Sequence, residues 1–340
     1  MILVDAIYIN SGGGNTLLKA FLNNLYHYNY DYVFLIDRRN KYFINDFNLN
    51  NIYFVNSNER SRGKIYSKII KTHNIEKIFI LNNIPPPFKI YNLKVYIYFH
   101  NVLLINPFGA NYNFFKISIF ILKYIYILSR NSNKYIWITQ TEYLKNLLRK
   151  SLYFNVNKIL VLPFFNDNAN YNNIHEKIYK FIYVADGSSQ KNHKLIFETL
   201  FFLANKYRIY PNLHLTFDPI IHHKLNNILL FYQSKGLKLI NHGTLNDNNL
   251  KQLYSQSEFL IYPSLKESFG LPLIEAILNN CNVIAINMPY VQSTIKPSFY
   301  FKNKNDLVEI ILKLNLNNDY DKSKILVQNK IDDIFQLFKN

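Results

Sequence analysis

Two α/β domains, each on a mostly parallel sheet, are predicted by three features of the sequence. Short β-rich runs alternate with amphipathic stretches. The alternation breaks at a polar stretch near mid-chain and then restarts. At 340 residues, 49% of them apolar, the chain can bury two cores, and wholesale disorder is excluded.

The strand candidates are runs of four to eight residues rich in Ile, Val, Tyr and Phe. In the first half they fall at residues 2–9, 32–36, 52–55, 77–81 and 95–99. Helically spaced segments lie between several of them, the pattern of βαβ units. After Pro163, Phe164 and Phe165 comes a polar stretch, 166–173, that reads as a linker. Runs at 181–184, 213–217, 237–240, 259–262 and 283–286 then repeat the pattern. The division is a first domain over 1–165, a second over 166–322 and a terminal helical segment over 323–340.

A single cysteine, Cys281, excludes an intramolecular disulfide framework and any multi-cysteine metal site. The first ten residues have no basic leader and read as a strand. The most apolar stretch, 117–128, contains Lys123 and is too short to span a bilayer. These features predict a soluble protein of a reducing compartment.

The net charge of +17 is placed unevenly. Residues 1–165 hold 20 basic and 7 acidic side chains, against 19 and 15 in residues 166–340. From Lys77 to Thr141 there is no acidic residue. Such a field attracts nucleic acid, anionic lipid or polyphosphate, although a solvated basic face would give the same composition. Within it, residues 113–131 can form an amphipathic helix. Phe114, Phe115, Ile117, Ile121, Tyr124, Ile125 and Leu128 are its apolar side chains, and Lys116, Lys123 and Arg130 lie beside them. It suits either a membrane interface or the core of the first domain.

Two segments carry candidate chemistry. Ser11-Gly12-Gly13-Gly14-Asn15-Thr16 follows a strand and opens an apolar-periodic run. Glycines there let the backbone approach a ligand, and a helix N-terminus offers unpaired N–H groups to an anion. With Asp37 at the end of the second strand, this also fits an NAD(P)-binding fold, although the third glycine of that fingerprint is replaced by Leu17. The second segment runs from Tyr262 to Ala276 as YPSLKESFGLPLIEA. A strand ends in a loop carrying Glu267, Gly270 makes a turn, and Pro272 suits the first helical turn. Glu275 is expected in that turn too. Two carboxylates near a helix N-terminus suit sugar hydroxyls and a diphosphate, the parts of a nucleotide sugar.

Residues 243–295 resemble the donor site of the retaining GT-B glycosyltransferases of family 4, whose hallmark is a Glu, seven residues and a second Glu around Ser-Phe-Gly-Leu-Pro. The resemblance implies two Rossmann-like α/β domains facing across a cleft. It implies that Glu267 contacts the transferred sugar and Glu275 the ribose. Backbone groups at Ser268, Phe269, Gly270 and Leu271 would meet sugar and diphosphate, Lys191 the donor phosphates, and Gly13 and Gly14 the same phosphates. His100 resembles the family's active-site histidine, donating to a sugar hydroxyl or to developing negative charge. Asp186 stands where the family has an Arg. Neither a metal nor a cofactor is expected. The partners implied are a nucleoside-diphosphate sugar, a glycan or lipid-linked acceptor and an anionic membrane surface, placing the chain on the cytoplasmic face of the plasma membrane. Asp319-Tyr320-Asp321 is expected at the surface. The rival readings are the NAD(P) enzyme and a basic nucleic-acid-binding module.

Overall fold

A computed structural model of the chain describes residues 1–10, 12–45, 47–108, 112–152, 159–167, 176–316 and 319–339. Most of the linker read at 166–173 lies outside the described residues, as does Ser11. The chain divides into two compact units: residues 1–107, 113–166 and 328–340, and residues 108–112 with 167–327.

The first unit holds seven strands: β1 (Ile2–Ala6), β2 (Tyr32–Asp37), β3 (Ile52–Val55), β4 (Lys77–Ile80), β5 (Lys94–Phe99), β6 (Ile136–Thr139) and β7 (Ile159–Val161). Their spatial order is β3-β2-β1-β4-β5-β6-β7, and all pairings are parallel. The sheet is covered on both faces, so its strands are near-continuous apolar runs, and Val95, Tyr96, Ile97, Tyr98 and Phe99 are all buried. β6 and β7 escape a run-based reading because they are short and abut polar residues.

The second unit contains β8 (Tyr179–Tyr183), β9 (Leu213–Leu215), β10 (Leu239–Asn241), β11 (Ser257–Tyr262), β12 (Asn282–Ile286), β13 (Ile295–Lys296), β14 (Phe299–Phe301) and β15 (Lys324–Ile325). Its main sheet, β10-β9-β8-β11-β12-β14, is also wholly parallel. In both sheets the order reverses beside the first strand, between β1 and β4 and between β8 and β11. Crevices form there at the carboxyl ends of the strands, where open α/β sheets bind ligands.

The chain returns to the first unit at Gln328, not at 323. Ser323 and β15 belong to the second unit: the Ser323 hydroxyl accepts from the Val283 amide at 2.8 Å, and β15 pairs with β13. The terminal helix is short, Ile331–Gln336. Phe335 stacks on Phe21 and Tyr28, Phe338 meets Phe79, and Lys77 Nζ donates to the Phe338 carbonyl at 2.7 Å.

One buried ionic cluster secures the first unit. Arg62, on the helix Glu59–Thr72, and Asp5, on β1, are both fully buried and pair at 2.7 Å. Asp5 also accepts from Tyr66 Oη, Asn82 Nδ2 and the Ile7 amide, while Arg62 donates to the Ile84 and Pro85 carbonyls. Leaving Asp5 charged and unpaired in this core is costly. Arg62→Leu is therefore expected to destabilise the first unit by about 3–5 kcal/mol. Urea unfolding followed by Trp137, the single tryptophan and buried on β6, measures it; an unchanged midpoint would refute the assignment.

Candidate active site

In the second unit the loops after β8 and β11 meet at the carboxyl edge of the sheet. The Leu265 amide donates to the Gln190 carbonyl at 2.8 Å, joining them. Glu267 is gripped at one oxygen. Its Oε1 accepts from Lys191 Nζ at 2.6 Å, Ser264 Oγ at 2.6 Å and Tyr262 Oη at 3.2 Å. Ser264 and Tyr262 are buried, so these donors cannot turn to water. Oε2 has no hydrogen-bond partner among the described residues. Three donors fix the carboxylate plane and leave one oxygen to accept from a ligand.

Lys191 stays charged in this setting. Burial lowers its pKa, but the Glu267 and Asp186 carboxylates more than offset that and hold it above the ordinary lysine value. Asp186, which takes the place of the family's Arg, caps the turn after β8: its Oδ1 accepts from the Ser188 amide at 2.7 Å and from the Ser188 hydroxyl. The same turn is tightly packed, since a Cβ at Gly187 would lie 2.4 Å from His222 Cγ. His222 is thereby explained by packing, and no group of three or more metal-ligating side chains occurs among the described residues.

The helix Leu271–Leu278 begins directly behind Glu267. Gly270 is its N-cap in the left-handed region, φ 81°, and a Cβ there would sit 2.9 Å from Leu273 Cδ1. Only glycine meets both conditions. Pro272 in the first turn has no N–H to leave unpaired, whereas the Gly270 and Leu271 amides have no acceptor among the described residues. Ser268 and Phe269 are buried, and the Phe269 carbonyl accepts from Thr294 Oγ1 at 3.1 Å.

Glu275 lies in the second turn of this helix and not in the first, because the helix starts at Leu271. Its Oε2 accepts from Tyr254 Oη at 3.1 Å. Burial pushes its carboxyl up to about 7, with Asp247 adding and Tyr254 opposing. Tyr254, Ser264 and Tyr262 went unnoticed as site residues in the sequence. Ser264 had a signal, three residues before Glu267 on the same loop. Tyr254, on the preceding helix, had none.

In the first unit Gly13 and Gly14 form the first turn of the helix Gly12–Asn24 and not a loop ahead of it, because positive φ at Gly12 turns the chain straight into the helix. Gly14 and His100 are brought together: a Cβ on Gly14 would lie 3.9 Å from His100 Cε1. His100 follows β5, and its amide donates to Asn83 Oδ1 at 2.6 Å. Its Nε2 lies 2.8 Å from the Leu81 carbonyl and 3.1 Å from Asn83 Nδ2, an acceptor and a donor on the same ring nitrogen. Burial lowers its pKa to about 4, so the ring is neutral at physiological pH.

Asp37 is consumed by its own neighbourhood. Both oxygens are paired with Arg39, at 2.9 and 2.7 Å, and they also accept the Arg39 and Tyr8 amides. No acceptor remains oriented for a ribose, which removes the residue on which the NAD(P) reading relied. Asp319 and Asp321 are exposed, as expected, and Asp321 pairs with Lys296.

Residues 165–332 match the family Glycosyl transferases group 1. Among curated proteins, the O-antigen chain mannosyltransferase RfbU of Salmonella typhimurium is 39% identical over 59 residues, 17% of each chain. The capsular polysaccharide biosynthesis glycosyltransferase CapH of Staphylococcus aureus is 27% identical over 177 residues, 50% of this chain and 46% of CapH. The aligned part thus spans less than half of either relative's length. A glycosyltransferase from Rickettsia africae shares the fold, with TM-score 0.70 and 18% identity over 93% of this chain and 88% of its own.

Behind Lys191, His193 is buried with Nε2 unpartnered, and burial lowers its pKa from 6.5 to about 3. The unfolded chain therefore binds a proton that the folded ring refuses, and folding stability must fall as pH drops below 6.5. Thermal unfolding by circular dichroism should show His193→Leu losing less midpoint on acidification than the parent. Parallel curves would exclude His193 as a source of acid sensitivity.

Proposed function

We propose that the chain, whose residues 165–332 match the family Glycosyl transferases group 1, transfers a sugar from a nucleoside-diphosphate sugar to a hydroxyl of a glycan acceptor. The observation that carries this reading is Glu267, fixed through one oxygen by Lys191, Ser264 and Tyr262 immediately ahead of the uncapped amides of Gly270 and Leu271. A sugar hydroxyl donates to the remaining carboxylate oxygen, and the anionic diphosphate is met by the Lys191 ammonium and the helix N-terminus. Glu275 accepts the ribose hydroxyls.

The sugar is transferred with retention. As the bond from the anomeric carbon to the diphosphate oxygen breaks, negative charge grows on the leaving group, and Lys191 and the helix amides stabilise it. The acceptor hydroxyl attacks from the face the diphosphate leaves, and the departing oxygen takes its proton. No enzymatic nucleophile or metal ion is needed by this route. His100 hydrogen-bonds a sugar hydroxyl. Relatives named for O-antigen chains and capsular polysaccharide support a surface-polysaccharide acceptor, which on our reading is lipid-linked and reached from the cytoplasmic leaflet. The basic first half suits such an anionic surface.

Thermal shift with UDP-, GDP-, CDP- and ADP-linked compounds, with and without EDTA, is the direct test. A rise with one base, insensitive to EDTA, is expected, and silence across the set would sink the reading. Titrations of NAD and of oligonucleotides on the same samples should give nothing.

The two carboxylates and His100 should separate in their effects. Glu275→Ala is expected to weaken donor binding, and His100→Ala mainly to slow turnover. Because the Glu275 carboxyl ionises near pH 7 and the carboxylate is the better acceptor, donor affinity should increase as pH rises through that value. The gain should be on the order of tenfold for the parent and absent in Glu275→Gln. Calorimetric titration across this range checks it; identical profiles for parent and variant would remove Glu275 from the ribose site.

A further inference from the structure

His100 is held by partners in the first unit whose chemistry is fixed. Its amide donates to Asn83 Oδ1 at 2.6 Å, and a backbone N–H can only donate. That settles which end of the Asn83 amide is which. Asn83 Nδ2 then lies 3.1 Å from His100 Nε2, while the Leu81 carbonyl lies 2.8 Å from the same nitrogen. One ring nitrogen thus faces an obligate donor and an obligate acceptor. A neutral imidazole can satisfy only one of them at a time.

The loop that presents both partners is anchored. Asn83 and Leu81 are buried, and Asn83 sits in the left-handed region at φ 70°. The Leu81 amide donates to the Asp5 carbonyl at 2.9 Å, and Asn82 Nδ2 donates to the Asp5 carboxylate at 2.8 Å. Arg62 takes the Ile84 and Pro85 carbonyls just beyond. The loop after β4 is therefore tied to the buried ion pair on both sides of Asn83, and a non-glycine residue at positive φ persists where its surroundings hold it so. With the frame fixed, the proton is what can change place.

With Nε2–H donating to Leu81, Nδ1 is a lone pair; with Nε2 accepting from Asn83, Nδ1 carries the proton. Nδ1 makes no hydrogen bond to another described residue. We propose that Asn83 is a positioning residue for His100: its amide keeps the Nδ1-protonated ring populated beside the Nε2-protonated form that the Leu81 carbonyl favours. A sugar hydroxyl both donates and accepts, so His100 meets it in either form. Only the Nδ1–H form can donate to an oxygen that gains negative charge. Exchange leaves the ring neutral, because water takes the proton from one nitrogen and returns one to the other. What Nδ1 meets rests on the glycosyltransferase reading, whereas the two tautomers rest on the geometry around Nε2.

Nitrogen-15 NMR of the full chain, labelled at histidine and free of ligand, reads the tautomer directly at about pH 8, where imidazole is neutral. His100→Gln identifies the signals. The parent is expected to show Nδ1 and Nε2 shifts between those of the two pure forms. Asn83→Asp keeps an acceptor for the His100 amide and tolerates the left-handed backbone, but it replaces the Nδ2 donor by a second acceptor. It should drive both shifts to the Nε2-protonated values. Should the aspartate impair folding, Asn83→Gly fits the same φ, removes the donor and should give the same signature. A single pure tautomer in the parent, or intermediate shifts that persist in either folded variant, would overturn the proposal.

Kinetics give a second readout. Asn83→Asp is expected to lower kcat about tenfold with donor KM unchanged, since Nδ1 still bonds the hydroxyl as an acceptor before reaction. Parental kcat despite a moved tautomer would overturn the positioning role. A nucleotide thermal shift with unmoved tautomers would sink the role of Asn83 alone. Moved tautomers with silence across the nucleotides would sink the enzyme reading alone.

Discussion

A carboxylate taken out of water at the end of a parallel strand must find a cation or lose its charge, and each unit is arranged around one answer to that constraint. In the first, Asp5, near the carboxyl end of β1, meets Arg62, whose remaining donors close on the Ile84 and Pro85 carbonyls. In the second, Glu267 stands just beyond β11 and meets Lys191 from the loop after β8. The first pair is closed on every side and is structural. The second has the same ion-pair chemistry with one carboxylate oxygen left over, and that single difference turns a structural pair into a candidate binding pair.

Topology explains where these groups lie within each unit. Strand order reverses beside β1 and beside β8, so the loops leaving neighbouring strands diverge to opposite faces and leave a crevice between them. Gly14 leaves β1, while Lys191 and Glu267 leave β8 and β11, the two strands that flank the second reversal. His100 leaves β5, next to β4. Lys191, Glu267 and His100 are therefore supplied by positions beyond the strand ends, while the strands beneath them are largely apolar.

Much of this was legible in the sequence, and what was not has physical causes. The βαβ alternation was plain because a sheet buried on both faces demands continuous apolar runs. β7 and β14 were not, because three-residue strands are too short to show a period. Glu267, Lys191 and Gly270 could be placed because one motif keeps them close to a turn whose glycine is obligatory. Hydrogen-bond partners could not be placed. The sequence position of His100 does not show that its Nε2 lies between the Leu81 carbonyl and Asn83 Nδ2, contacts with residues nineteen and seventeen away in sequence. Asp37 reads as a ribose acid, yet Arg39, only two residues on, occupies both its oxygens.

The helix Phe114–Arg130 shows the same limit in hydrophobic form. A helix with apolar residues over most of its circumference gives a periodicity argument two faces to choose from, and spacing alone cannot say which one the fold covers. The sequence places Tyr124 with Phe114 and Ile125 on one broad face. The packing divides them, Tyr124 turning inward and the other two outward. The division follows from what each face offers the core. Phe120, Tyr124 and Ile127 lie close enough on the wheel to meet the sheet layer together, and Tyr124 Oη finds a backbone acceptor at Ser151 while doing so. Phe114, Leu122 and Ile125 point the opposite way, so no rotation of the helix could bury both sets against one layer. That geometry leaves Phe114, Leu122 and Ile125 exposed.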